Sequence, residues 1–163
     1  SIEDREEKSY QRFLSRLKER ENASNNPQVH RDSEGHLTYG WGHKLTEEEL
    51  NRYKEGDEVG EKVREEALRR DSIRAWEAAK SQAQELKLGN SNFVEHLGAV
   101  NYQLGTNWNQ EHVKTWEHLK RGNWGEAANE ATRSKWYEQT PVRVEDFQSG
   151  IIELRDIPNA PLP

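Results

Sequence analysis

The chain contains neither cysteine nor methionine. Without thiols there is no disulfide framework and no thiolate metal site, while the compartment stays open. Methionine is missing even at position 1, which suits a domain excised from a longer chain better than a complete translated one. Also missing is any apolar run near the roughly 18 residues a membrane-spanning helix needs. The start, SIEDREEKSYQRF, is charged from its third residue and shows no signal peptide. A basic surplus is lacking as well: 24 Lys and Arg face 30 Asp and Glu, a formal charge of −6. Duplex nucleic acid, whose phosphates call for a basic face, is therefore not an expected partner, and neither is membrane insertion.

Apolar residues are scarce, at 31% against 33% charged. The length of 163 residues suits one domain, or one domain in two lobes. A chain of this size buries roughly 70% of its unfolded surface, so a core is within reach. It must depend on large side chains, and six Trp, five Tyr and three Phe supply them. The aromatics and the helical periodicity exclude a disordered chain.

Ile2, Tyr10, Phe13, Leu14 and Leu17 are spaced for an amphipathic helix over residues 2–20. NASNNP (22–27) breaks it with turn formers and a proline. From Val29 to Trp41 the pattern is short and β-like, and predicts a hairpin or three-stranded ribbon. Thr46 and Glu49 match a capping box that starts the next helix. After the EGDEVG turn, Val63, Leu68, Ile73, Trp76 and Leu86 mark a long helix over 61–87. SNFVEHLGAVNYQL (91–104) is the most apolar segment and the expected central core helix. QEHVKTWEHLKRG (110–122) predicts a helix closed by Gly122, with Asn123 as N-cap of the next. A short helix through VRVEDFQSGIIEL and a tail, PNAPLP, complete an α+β chain, mostly helical with one small N-terminal sheet.

HRDSEGHLTYGWGH (30–43) is the densest stretch in chemistry. Glu21 falls at the expected end of the first helix, with Asp32 and Thr38 on the hairpin that follows. A helix end facing a small sheet makes a cleft, where paired carboxylates serve acid–base hydrolysis of a glycosidic bond. Each residue also has a plain role open to it. Glu21 suits a solvated helix-terminal charge, Asp32 a turn cap in RDSEG, and Thr38 a strand position.

The order Glu21, then DSEGHLTYGWGH (32–43), resembles the signature of the phage-type lysozymes, muramidases typified by the T-even phage enzyme. A second block, TWEHLKRGNWGEAANEATRSKWYEQTPVR (115–143), is similar to that family's C-terminal lobe, and YQLG (102–105) to the end of its central helix. The resemblance implies a two-lobed lysozyme-like fold: a hairpin lobe over about 13–60, a connecting helix over 61–90, a helical lobe over 91–155 and a tail over 156–163. It implies a peptidoglycan hydrolase cutting the β-1,4 bond between N-acetylmuramic acid and N-acetylglucosamine with inversion. Glu21 would be the general acid, Asp32 the base or electrostatic partner, and Thr38 a holder of the attacking water. Gln103 and Gln139 match positions lining the family's cleft, and Lys44, Tyr102, Thr115 and Thr140 positions that touch sugar. His43 is expected in a structural, charge-paired role after the hairpin, and Arg143 resembles an arginine that pairs with the acid. Trp136 and Tyr137 belong with the core of the second lobe.

The interval between Glu21 and Asp32 is about two residues longer than is usual in the family, which makes Glu19 a rival for the acid. The acidic charge departs from the basic phage enzymes and makes long-range attraction to the wall poor. It fits a monomeric domain carried to peptidoglycan in the periplasm or wall by a longer delivery protein, with an immunity or inhibitor protein as a further candidate partner. The six histidines match no zinc spacing, and neither a metal nor another cofactor is expected. A lytic transglycosylase and a non-catalytic wall-binding domain are the competing classes. Retention of Glu21, Asp32 and Thr38 together speaks for hydrolysis.

Overall fold

In the computed structural model the chain is mostly helical, with one small antiparallel sheet after the first helix and a helical C-terminal region. The structure describes residues 1–21 and 25–156, Glu21 by its backbone alone. Two compact units divide the chain: Gln11–Ile73, and Ser1–Tyr10 with Arg74–Pro163.

Helix α1 (Ile2–Glu21) buries Phe13 and Leu17, the expected apolar face, but Ile2 is 70% exposed and takes no part in it. The break expected through residue 27 is shorter: Asn25, Asn26 and Pro27 already belong to β1 (Asn25–Arg31). Proline is tolerated there because β1 is an edge strand, and its ladder to β2 (Leu37–Trp41) shifts register between Asn26 and His30. The outer edge of β1 is covered by the chain at 56–59. Val59 N donates to Pro27 O (2.7 Å), Val29 N to Asp57 O (2.8 Å) and Gly56 N to Val29 O (2.7 Å). A two-residue strand, β3 (His43–Lys44), completes the sheet in the order β1-β2-β3. The β1–β2 loop is a turn closed by Gly35 N donating to Asp32 O (3.0 Å), with Gly35 at φ +87°, a conformation that favours glycine.

Helix α2 (Glu47–Arg52) begins with the expected capping box: Thr46 accepts from Glu49 N, and Glu49 accepts from Thr46 N. Helix α3 (Glu61–Leu86) buries Leu68, Ser72, Ala75, Ala79, Gln82 and Leu86, alternating steps of four and three. Val63 and Ile73, expected in its apolar face, are 37% and 39% exposed. Four of the nine buried residues of this helix are alanines (Ala67, Ala75, Ala79 and Ala83), which a search for large apolar residues passes over.

In the helical unit, α4 (Ser91–Leu104) is capped by Asn90, whose side chain accepts from Phe93 N (2.9 Å), and it forms part of the core as expected. The single helix expected over 110–122 is instead two, α5 (Trp108–Glu111) and α6 (Val113–Lys120), broken at His112 (φ −99°, ψ 59°). On an unbroken helix residues eight apart are separated by about 12 Å along the axis. The break lets Trp108 and Trp116 meet edge to face with ring centroids 5.7 Å apart. Gly122 (φ +73°) does close α6: Gly122 N donates to Leu119 O (3.2 Å) and Asn123 N to His118 O (2.9 Å), the Schellman pattern. Asn123 precedes α7 (Trp124–Ala131), but its side chain makes no capping bond, a correction to the expected N-cap. Serving the end of α6 with its own N–H, it is held at φ −86°, ψ 71°, away from cap geometry.

Helix α8 (Lys135–Gln139) is capped by Ser134, and α9 (Pro141–Glu153) starts on a proline, whose missing N–H costs nothing in a first turn. A 3-10 turn (Leu154–Asp156) follows, and the PNAPLP tail lies outside the described residues. Phe147 on α9 centres this core, in ring contact with Phe93, Trp108 and Trp136. A polar knot lies beside it. Gln82 and Asn101 exchange two 2.9 Å amide bonds, and Trp108 Nε1 donates to Gln82 Oε1 at 3.3 Å.

Candidate functional site

The sheet has two chemically different faces. Side chains alternate along a strand and align across it. Val29, Tyr39 and His43 point into a buried cluster with Val59 and Ala67. His30, Thr38 and Lys44, cross-strand neighbours in register, form a polar row on the opposite face. Asp32 follows His30 by two residues at the mouth of the turn.

Asp32 performs the turn role open to it in sequence. Its Oδ1 accepts from Glu34 N (2.9 Å) and His36 N (2.8 Å). Its Oδ2 lies 3.6 Å from His36 Nδ1. Burial by itself would raise the carboxyl's pKa. The two backbone N–H bonds and the charges of His36 and Lys44 outweigh it and hold the group below the ordinary carboxylate value. Asp32 is thus kept ionised, which suits a base or a partner for developing positive charge and not a proton donor. Capping and chemistry are compatible here, because the turn fixes one oxygen and leaves the other.

Thr38 is buried, with Oγ1 3.2 Å from His30 Nε2 and 3.4 Å from His30 O. Lys44 is exposed. Glu21 ends α1, and its side chain lies outside the described residues, as does any pairing with Arg143. Glu19, two residues earlier, is exposed.

The opposite face of the sheet holds an ionic network. His43 Nδ1 is 2.7 Å from Asp71 Oδ2 and Nε2 is 2.7 Å from Glu49 Oε1. Tyr39 donates its hydroxyl to the other Glu49 oxygen, and Thr46 N donates to Oε1 at 3.1 Å. Burial would lower the His43 pKa, but the two carboxylates outweigh it and raise it. With a carboxylate oxygen, an acceptor, at 2.7 Å from each ring nitrogen, the geometry suits a ring that donates from both. Glu49 is drawn down from 4.5 to about 2: burial opposes this, and the bonds from His43, Tyr39 and Thr46 N prevail. Burial and the Glu49 bond push the Tyr39 phenol up. His43 therefore stands in a charge-paired, structural position.

The other expected residues belong to the helical unit. Trp136 Nε1 donates to Gln103 Oε1 (3.0 Å), Gln103 Nε2 to Thr140 Oγ1 (3.0 Å), and Thr140 Oγ1 to Trp136 O (3.2 Å). This closed chain locks the Gln103 amide in one orientation. Gln139 is exposed and Tyr102 half-buried. Arg143 is half-buried on α9, its N–H donating to Thr140 O at 3.1 Å. Thr115 is only 3% exposed on α6, packed as a core residue. Trp136 is in the core cluster with Tyr137 packed against it.

Three residues with a part in these arrangements went unremarked in sequence: His30, Asp71, and Glu49 as anything beyond a capping residue. For His30 a signal existed. The Asp32–Gly35 turn adds Gly35 as a bulge residue, so Asp32 N donates to His36 O (2.8 Å), and that register places residue 30 opposite residue 38. Among the described residues no group of three or more His, Asp and Glu is placed to hold a metal ion. No described helix is long and apolar enough to cross a membrane. No protein-family model and no curated protein sequence matches this chain.

Proposed function

We propose that the chain is a muramidase, hydrolysing the N-acetylmuramic acid to N-acetylglucosamine β-1,4 bond of peptidoglycan with inversion. The observation that carries this reading is an ionised Asp32 at the mouth of a hairpin whose polar face presents Thr38 and Lys44. The hairpin follows a helix ending at Glu21. The resemblance of residues 32–43 and 115–143 to phage-type lysozymes supports it.

Glu21, protonated, gives its proton to the departing glycosidic oxygen. As that bond breaks, positive charge grows on the sugar ring, and the Asp32 carboxylate stabilises it and accepts a proton from the attacking water. Thr38 holds that water by a hydrogen bond. Lys44, beside Thr38 on the hairpin, is a further sugar contact of its unit. In the helical unit Gln103, its amide locked by Trp136 and Thr140, offers fixed polar contacts to sugar, as do Tyr102 and Gln139. At a formal charge of −6 the domain gains little from long-range attraction to an anionic wall. Delivery by a longer protein to the periplasm or wall, and restraint by an immunity or inhibitor protein, belong to the same proposal.

Mass spectrometry of purified peptidoglycan digested by the chain and by Glu21→Gln tests it. Hydrated disaccharide peptides ending in reducing muramic acid are expected, with the rate lowered about 10²- to 10⁴-fold in the variant. Anhydro products would mean a transglycosylase, and no products from a folded sample would leave a wall-binding module.

A further inference from the structure

His30 stands directly opposite Thr38 in the β1–β2 ladder, and Lys44 flanks Thr38 on the other side. Directly opposed residues share a face, so imidazole and hydroxyl meet, Nε2 to Oγ1 at 3.2 Å. The second ring nitrogen, Nδ1, is 3.2 Å from the carbonyl oxygen of Gln28. A carbonyl oxygen only accepts, so Nδ1 carries a proton. In the neutral ring Nε2 is then bare and accepts the Thr38 O–H. In the charged ring Nε2 donates to Oγ1, and the hydroxyl proton turns to the carbonyl oxygen of His30, 3.4 Å away. One protonation event thus reverses a hydrogen bond and removes one of the two lone pairs Thr38 offers.

We propose that His30 is a positioning residue for the hydrolytic water: neutral, it draws the Thr38 proton to itself and turns the hydroxyl oxygen into an acceptor for the water's O–H. This rests on the muramidase reading, in which Thr38 holds that water. Among the described residues, the charged and titratable groups of the neighbouring elements include Lys44 on β3, Asp32, Glu34 and His36 at the turn, and Glu58, whose backbone bridges to Gln28. A protonated His30 takes a lone pair from Thr38, and the loss falls on turnover rather than on sugar binding.

The test measures kcat and KM on soluble glycan strands over about pH 5 to 8, where histidine changes charge. The intact chain is compared with His30→Gln and His36→Gln, and histidine ¹⁵N spectra are recorded for the chain and for Thr38→Val. The chain and His36→Gln are expected to lose kcat about tenfold on the acid side, the worth of one hydrogen bond, with KM little changed. His30→Gln lowers kcat at neutral pH and abolishes that acid limb. The spectra should show His30 as the Nδ1–H tautomer, with its Nε2 signal moved by Thr38→Val. An acid limb that survives in His30→Gln, or that vanishes in His36→Gln, overturns the role. So does an Nε2–H tautomer. If the chain releases no fragments at any pH, the muramidase reading falls and His30's part in hydrolysis falls with it. The spectra then still decide whether the His30–Thr38 bond runs as described.

Discussion

Glu49→Gln strikes the centre of the ionic network behind the sheet. The side chains of Glu49 and His43 are each 7% exposed, so water screens their interaction little. In the native chain Glu49 titrates at about 2 against an ordinary 4.5. Each pH unit is worth about 1.4 kcal/mol, so the native contacts favour the carboxylate by about 3 kcal/mol. That agrees with the 3–5 kcal/mol typical of removing one partner from a buried pair. A depressed carboxyl stabilises the fold above its unfolded pKa, and the contribution fades as pH falls through the folded one. The gap between wild type and Glu49→Gln should therefore be full above about pH 4.5 and shrink toward pH 2. His43 works in the opposite sense. Its raised pKa stabilises the fold below 6.5, and that contribution disappears as pH climbs through the native value. Losing Glu49 lowers that native value, so the variant should also weaken earlier on the alkaline side. Urea unfolding from pH 2.5 to 9 reads both effects, and near pH 6 a thermal midpoint about 6–12 °C lower is expected. A gap below about 1 kcal/mol at pH 6, or one that stays constant down to pH 2.5, would refute the reasoning.

Two further predictions concern the helical unit. A Cβ on Gly150 of α9 would fall 2.5–2.8 Å from the His96 ring of α4, so Gly150→Ala should destabilise by about 1–3 kcal/mol. Denaturant midpoints matching wild type would show that the contact gives way freely. Asn101→Leu removes the two 2.9 Å bonds of the buried Gln82 amide, leaving it the 3.3 Å contacts with Trp108 Nε1 and Thr106 O, and should cost about 1–3 kcal/mol, whereas pairing it with Gln82→Leu should recover part of the loss. A double-mutant cycle without coupling would argue against the knot.

Much of this architecture could be read from sequence because it is written in local signals. The Thr46–Glu49 capping box, the Gly122 closure and the glycine-punctuated hairpin each depend on residues within one turn of one another. What escaped depends on distance or on small side chains. The four buried alanines of α3 carry little hydrophobic bulk to notice, and the break at His112 is set by where Trp108 and Trp116 meet. The partnership of His43 with Asp71, 28 residues away, has no local mark at all. Within the candidate site, Asp32 and Thr38 stand out by their motif. The function of Asp32 as turn cap and ionised group at once emerges only from geometry.

The two-sided hairpin also bears on how such a segment can change over generations. Odd-numbered positions 29, 39 and 43 answer to the interior, and even-numbered positions 30, 38 and 44 answer to whatever the polar face meets. Selection can therefore edit one set while the other is held constant, so that the chemistry of the polar face and robustness drift on separate clocks within a single sixteen-residue stretch, 29–44. A designer inherits the same freedom, bounded by Asp32, which belongs to both sets because its cap holds the turn that keeps the two registers apart.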